Sequence, residues 1–315
     1  IRDRVRALVS GCYERAITVV IALLLVGLFG LPLTSYASIE AGISLAVEYD
    51  SNILPEADTT TQNSGDWALA KSAFVGWESS KGAGPDWQAR YDYSATSWQQ
   101  AVEFDTDIHS AYLRASYNRA AHTTDLVGLI ARADLEGKTF MHIRRLSPAW
   151  GYFFTDRLYV RGQLDIGDKR FQLYPERDAT QLGGRATVYW MFNRTLNYLS
   201  LRTVFRHEDT RSEPFGYDAI NTRLRWKLRS GKVKYYLQGS LERRRYEAVW
   251  SEIGERRQDD RLRISAGLKW AIGRGFTFEG DIGGDEYHSN LPVADYRQFR
   301  SVSYTHLTLP TTGSV

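Results

Sequence analysis

Residues 219–229 read Ala-Ile-Asn-Thr-Arg-Leu-Arg-Trp-Lys-Leu-Arg. Ile220, Thr222, Leu224, Trp226 and Leu228 share one side of a strand. Asn221, Arg223, Arg225, Lys227 and Arg229 share the other. A period of two predicts a β-strand with unlike faces. An apolar, aromatic-rich face opposite a charged one suits a wall between lipid and a watery lumen.

The alternation recurs over 39–50, 67–77, 87–94, 111–118, 127–134, 143–154, 158–166, 181–192, 199–206, 233–242, 261–270 and 276–282. A last strand begins at Tyr296. In strand five, Val127, Leu129, Ala131 and Ala133 are assigned to lipid, with Arg132 and Asp134 on the inner side. Strand six is interrupted by Pro148, and Lys71 is a misfit on the apolar face of strand two. Long polar segments after odd strands (51–66, 101–107, 167–179, 210–218, 246–259, 285–295) alternate with tight turns after even ones. Only 136–140 is a short exception. Long outer loops and short periplasmic turns are the pattern of outer-membrane barrels, and they require an even strand number. The predicted fold is therefore an all-β, antiparallel up-and-down transmembrane barrel of about 14 strands, the last one truncated. A soluble sandwich with a tryptophan core competes, but it needs a second layer over every apolar face.

The ends of the chain read differently. Arg2, Arg4, Arg6 and Arg15 flank an apolar run over 16–31, followed by Pro32 and Ser35-Tyr36-Ala37. This predicts a secretory signal peptide over 1–37, cleaved after Ala37. A single membrane anchor is the alternative, but the run is short for a span of roughly 20 residues. Residues 301–315 are uncharged apart from His306, contain Pro310 and resemble a translated sequencing adapter. They are expected to be a non-native tail outside the fold, which leaves 38–300 as the barrel. A natural flexible tail is the competing reading.

Removing the leader takes four arginines and two acids from a chain of net charge +3, leaving about +1. No basic excess remains to suggest nucleic acid. The one cysteine, Cys12, lies in the leader, so the mature chain has no disulfide or thiol chemistry.

No catalytic or metal-binding signature stands out, and no cofactor is expected. His207 beside Glu208-Asp209, and His288 with Asp285 and Ser289, lie near predicted outer rims and would be the place for a rim hydrolase. Candidate chemistry lies instead on the inner face. Its basic residues are Arg185, Arg202, Arg206, Arg223, Arg225, Lys227, Arg229, Lys234, Arg261, Arg263 and Lys269. Its acids, Glu40, Glu48, Asp50, Asp92, Glu279 and Asp281, concentrate on strands one, three and thirteen. Opposed walls of this kind would orient polar solutes and favour anions. Pairing across strands would make the same charges structural.

Tyr49-Asp50-Ser51-Asn52-Ile53 recurs as Tyr287-His288-Ser289-Asn290-Leu291. With 257–261 (Arg-Gln-Asp-Asp-Arg) and Asp295-Tyr296-Arg297, these motifs resemble the barrel of surface lipoprotein assembly modifiers and porins linked to exopolysaccharide loci. The resemblance implies a translocon for lipoproteins or an export pore. The pattern itself predicts a porin-like channel of the Gram-negative outer membrane. Its expected partners are outer-membrane lipid and either polar or anionic solutes, or an exported polymer or lipoprotein.

Overall fold

A computed structural model describes residues 38–53, 65–79, 84–193, 196–273 and 275–311. The expected leader lies outside them. Fourteen antiparallel strands close into one barrel, each bonded to its sequence neighbours and the last to the first. The first seven are β1 (Ser38–Asp50), β2 (Asp66–Glu78), β3 (Asp86–Trp98), β4 (Thr106–Arg119), β5 (His122–Leu135), β6 (Lys138–Thr155) and β7 (Leu158–Phe171). The others are β8 (Ala179–Asn193), β9 (Asn197–Thr210), β10 (Tyr217–Ser230), β11 (Val233–Trp250), β12 (Glu255–Gly273), β13 (Phe276–Ser289) and β14 (Tyr296–Thr311). Closure leaves no strand edge unpaired, as hydrocarbon requires of backbone that cannot bond to water.

The outer face carries the exposed apolar residues. On β10, Ile220, Leu224 and Trp226 are each nearly half exposed. Five outward positions per strand, as from Ile220 to Leu228, give an apolar band roughly 20 Å tall at the usual rise and tilt. Trp150 stacks on Tyr152 at 6.1 Å, and His122 packs against both. With Trp190, Phe192, Trp226, Trp270 and Phe276 they girdle the end that carries the tight turns. Lys71 stays on the outer face opposite Leu45 and Ala95.

Three expectations are corrected. Strand five faces the other way from its sequence assignment. Val127 pairs with inward Arg114 and with Ser147, and Leu129 pairs with Tyr112 and Arg145. Val127, Leu129, Ala131 and Ala133 therefore point into the barrel, while Ile130 is 47% exposed on the outside beside Arg132. Both faces of β5 carry aliphatics, so alternation alone could not orient it.

Of the polar segments assigned to long loops, 246–259 is largely strand and 285–295 is strand as far as Ser289. β11 and β12 pair as far as Trp250 and Glu255, leaving a turn over 251–254. Above the apolar band the outward residues become charged, as in the Arg243–Asp260 pair at 2.7 Å. The hydrophobic signal ends there while the hydrogen-bond ladder continues.

Residues 301–311, expected to lie outside the fold, complete β14 instead of leaving it truncated at 300. Ser301 to Thr311 pair with β1 from Tyr49 down to Ile39. Pro310 sits opposite Glu40 near the strand end, where the missing N–H costs little. Pro148 is likewise tolerated within β6. There the ladder to β7 holds at Leu146 and Ala149 and lapses between them.

Candidate functional site

The register sets Arg185, Arg202, Arg206, Arg223, Arg225, Lys227, Arg229, Arg261, Arg263 and Lys269 on the inner face of β8 to β12. It sets Glu40, Glu48, Asp50, Asp92, Glu279 and Asp281 on the inner face of β1, β3 and β13. Room for large inward rings comes from glycine. Phe74 lies directly over Gly42 and Tyr236 over Gly267, where a Cβ would collide with the ring. Arg90 in turn stacks 3.8 Å from the Phe74 centroid.

Many of the inward bases are neutralised within a few ångströms. Asp285 receives both Arg261 (2.9 Å) and Arg263 (2.7 Å). Lys269 pairs with Glu279. Arg185 reaches Asp165 at 3.3 Å, and Arg300 bridges to Glu48 at 2.9 Å. Arg206 stands at 4.0 Å from Glu208, which is tied more closely to Lys169, Gln181 and Tyr217.

The sequence reading missed further inward pairs. Arg114 and Arg161 converge on Asp125, Arg257 holds Asp259 at 2.9 Å, and Arg244 holds Glu242 at 2.5 Å. Glu242 and Asp165 lie in segments that the alternation already marks as strand. Asp285 and Asp259 were hidden because their segments looked like loops.

A second population is left over. Arg202 and Arg223 are direct cross-strand partners. Neither has a carboxylate within ion-pair distance among the described residues. Arg185, Arg202, Arg225 and Arg263 are close enough for their charges to act on Arg223. Arg225 stacks on Tyr236 at 4.5 Å and Lys227 on Tyr198 at 5.4 Å, which are aromatic rather than anionic partners. The Nε atoms of Arg223 and Arg225 are buried without a hydrogen bond. Like charges held this close, with donors unspent, are arranged for an anion or water and not for one another.

The two histidine groupings at the rim are each split between the faces of their strand. His207 is outward, 2.9 Å from Asp218, while Glu208 faces in. His288 is outward beside Glu286 and Asp295. Asp285 and Ser289 lie on the other face, bound to arginines and to Asp259. Among the described residues, neither histidine has a serine hydroxyl or cysteine thiol as a hydrogen-bond partner; their partners are carboxylates.

No protein-family model matches the chain, and neither does any curated protein. Solved structures do. OmpT, an outer membrane protein of Vibrio cholerae, aligns over 88% of this chain and 99% of its own, at TM-score 0.53 and 8% identity. The outer membrane channel DcaP of Acinetobacter baumannii aligns over 87% and 97%, at 0.53 and 6%. An anion-selective porin from Comamonas acidovorans aligns over 87% and 100%, at 0.52 and 8%. At these identities the likeness is one of fold: a bacterial outer-membrane barrel of the kind that porins and channels use. A specific likeness to lipoprotein assembly modifiers does not emerge.

Proposed function

We propose that the protein is a porin-like channel of the bacterial outer membrane whose interior favours small polar anions. Residues 1–37 are the leader that brings it there, and outer-membrane lipid covers the apolar band. The observation that supports anion preference is the set Arg202, Arg223 and Arg225, inward and with no carboxylate within ion-pair distance among the described residues. Fixed positive charge on a narrow aqueous wall raises the local anion concentration. The anion-selective porin among the structural neighbours is consistent with this reading.

The test is the reversal potential of the full chain in planar bilayers under a potassium chloride gradient. Chloride preference is expected, and it should strengthen in dilute salt because screening acts over about 10 Å at 0.1 M. A channel that prefers potassium would overturn the proposal, and so would a barrel that never conducts.

A further inference from the structure

The inner face is apolar where β5 was expected to be polar, and this changes what the lumen can hold. A cavity of about 850 Å³ opens on the inner wall of β3 to β9, a size typical of small-molecule clefts. Three kinds of surface meet in it. Val127 and Leu129 supply an aliphatic patch. Phe153, Tyr159, Tyr189 and Tyr198 form a continuous shelf, with successive ring centroids at 4.4, 5.8 and 5.5 Å. Arg145 and Arg185 supply charge. Arg145 is the cross-strand partner of Leu129 and has no carboxylate within ion-pair distance among the described residues. Arg185 makes one 3.3 Å contact with Asp165 and leaves its buried Nε unbonded.

We propose that this cavity binds amphipathic organic anions, with aromatic monocarboxylates as the simplest members of the class. The carboxylate would take the spare donors of Arg145 and Arg185, and the ring would lie between the aliphatic patch and the aromatic shelf. Guanidinium donors bind carboxylates in matched geometry, and rings prefer offset or edge contacts with other rings. An inorganic anion would satisfy the arginines but leave the apolar patch wet. A neutral ring would cover the patch but leave the arginines unpaired. The inference rests on an aqueous, solute-accessible lumen, as the channel reading holds, but its readout needs no conduction.

The experiment is fluorine NMR of the full chain refolded in detergent micelles. It uses three probes: 4-fluorobenzoate, 4-fluorobenzyl alcohol and fluoroacetate. Saturable line broadening is expected for 4-fluorobenzoate alone. In folded variants, Leu129→Asn and Arg145→Gln should each weaken its binding by roughly tenfold, about the worth of one partly buried aliphatic contact or one charge-assisted bond. Equal broadening by the alcohol would mean micelle partitioning and overturn the proposal. Equal binding of fluoroacetate would reduce the site to bare charge and overturn it as well. The comparison of the three probes on the unaltered chain decides the matter even if a variant fails to fold. An anion-selective channel that ignores 4-fluorobenzoate would defeat this inference and leave the proposed function standing.

Discussion

β10 and β5 are both central strands of one closed sheet, yet they build opposite interiors. β10 places Arg223, Arg225, Lys227 and Arg229 inside and Ile220, Leu224, Trp226 and Leu228 outside. β5 places Val127, Leu129, Ala131 and Ala133 inside and Leu126, Gly128 and Ile130 outside. The outer requirement is the same for both, because hydrocarbon favours apolar side chains and penalises charge near the midplane. The inner requirement is loose, because a lumen can be lined by charge or by aliphatics. Strong alternation is thus a sign of the lumen's chemistry, and its absence is not a sign that the strand faces the other way.

The largest effect that could break this comparison concerns facing. Leu224→Arg and Leu126→Arg each place a guanidinium against lipid, at a cost of about 2–4 kcal/mol near the midplane. Val127→Arg sends the same group into the lumen and should cost much less. Reversible folding into bilayers measures all three. If Val127→Arg were as damaging as Leu126→Arg, β5 would have to be turned back to its sequence-based orientation.

A smaller effect tests the charged side of the comparison. Changing Arg202, Arg223 and Arg225 to Gln should lower the anion-to-cation permeability ratio several-fold. Folding stability should hold, because among the described residues none of the three is ion-paired and like charges are removed. Unchanged selectivity with all three arginines gone would show that β9 and β10 carry no selectivity.

The smallest expected shift comes from Asp285→Asn. Arg261 and Arg263 share that carboxylate, and removing its charge adds their full charge to the lumen. Anion preference should rise modestly, and more in dilute salt than in concentrated salt. A fall in anion preference would mean that these arginines face away from the conducting path.

Much of the architecture was legible because the membrane imposes it on the sequence. The period of two in β10 and β12, the tight turns and the aromatics near strand ends all follow from one-sided contact with lipid. The basic residues chosen from the sequence share, by register, the strand face opposite the exposed apolar residues. What escaped was any feature that depends on a neighbouring strand. Asp285 and Asp259 looked like loop residues because the outward residues of their extended strands are polar above the bilayer. Without them, the wall of β11 to β13 read as free positive charge when most of it is paired.

The sequence by itself determined the barrel class, the approximate strand number and the outer face of the clearly alternating strands. Each of these depends on local periodicity and on a solvent that is the same all round the molecule. Only the tertiary structure decided which arginines are neutralised, which way β5 turns and how the ring closes through 301–311. Those outcomes depend on register between strands distant in sequence, as where Arg300 meets Glu48 and His306 lies opposite Ser44. A carboxylate one rung away cancels a charge, and a cross-strand partner on a known face orients an ambiguous strand. Neither relation is encoded in the spacing along a single segment.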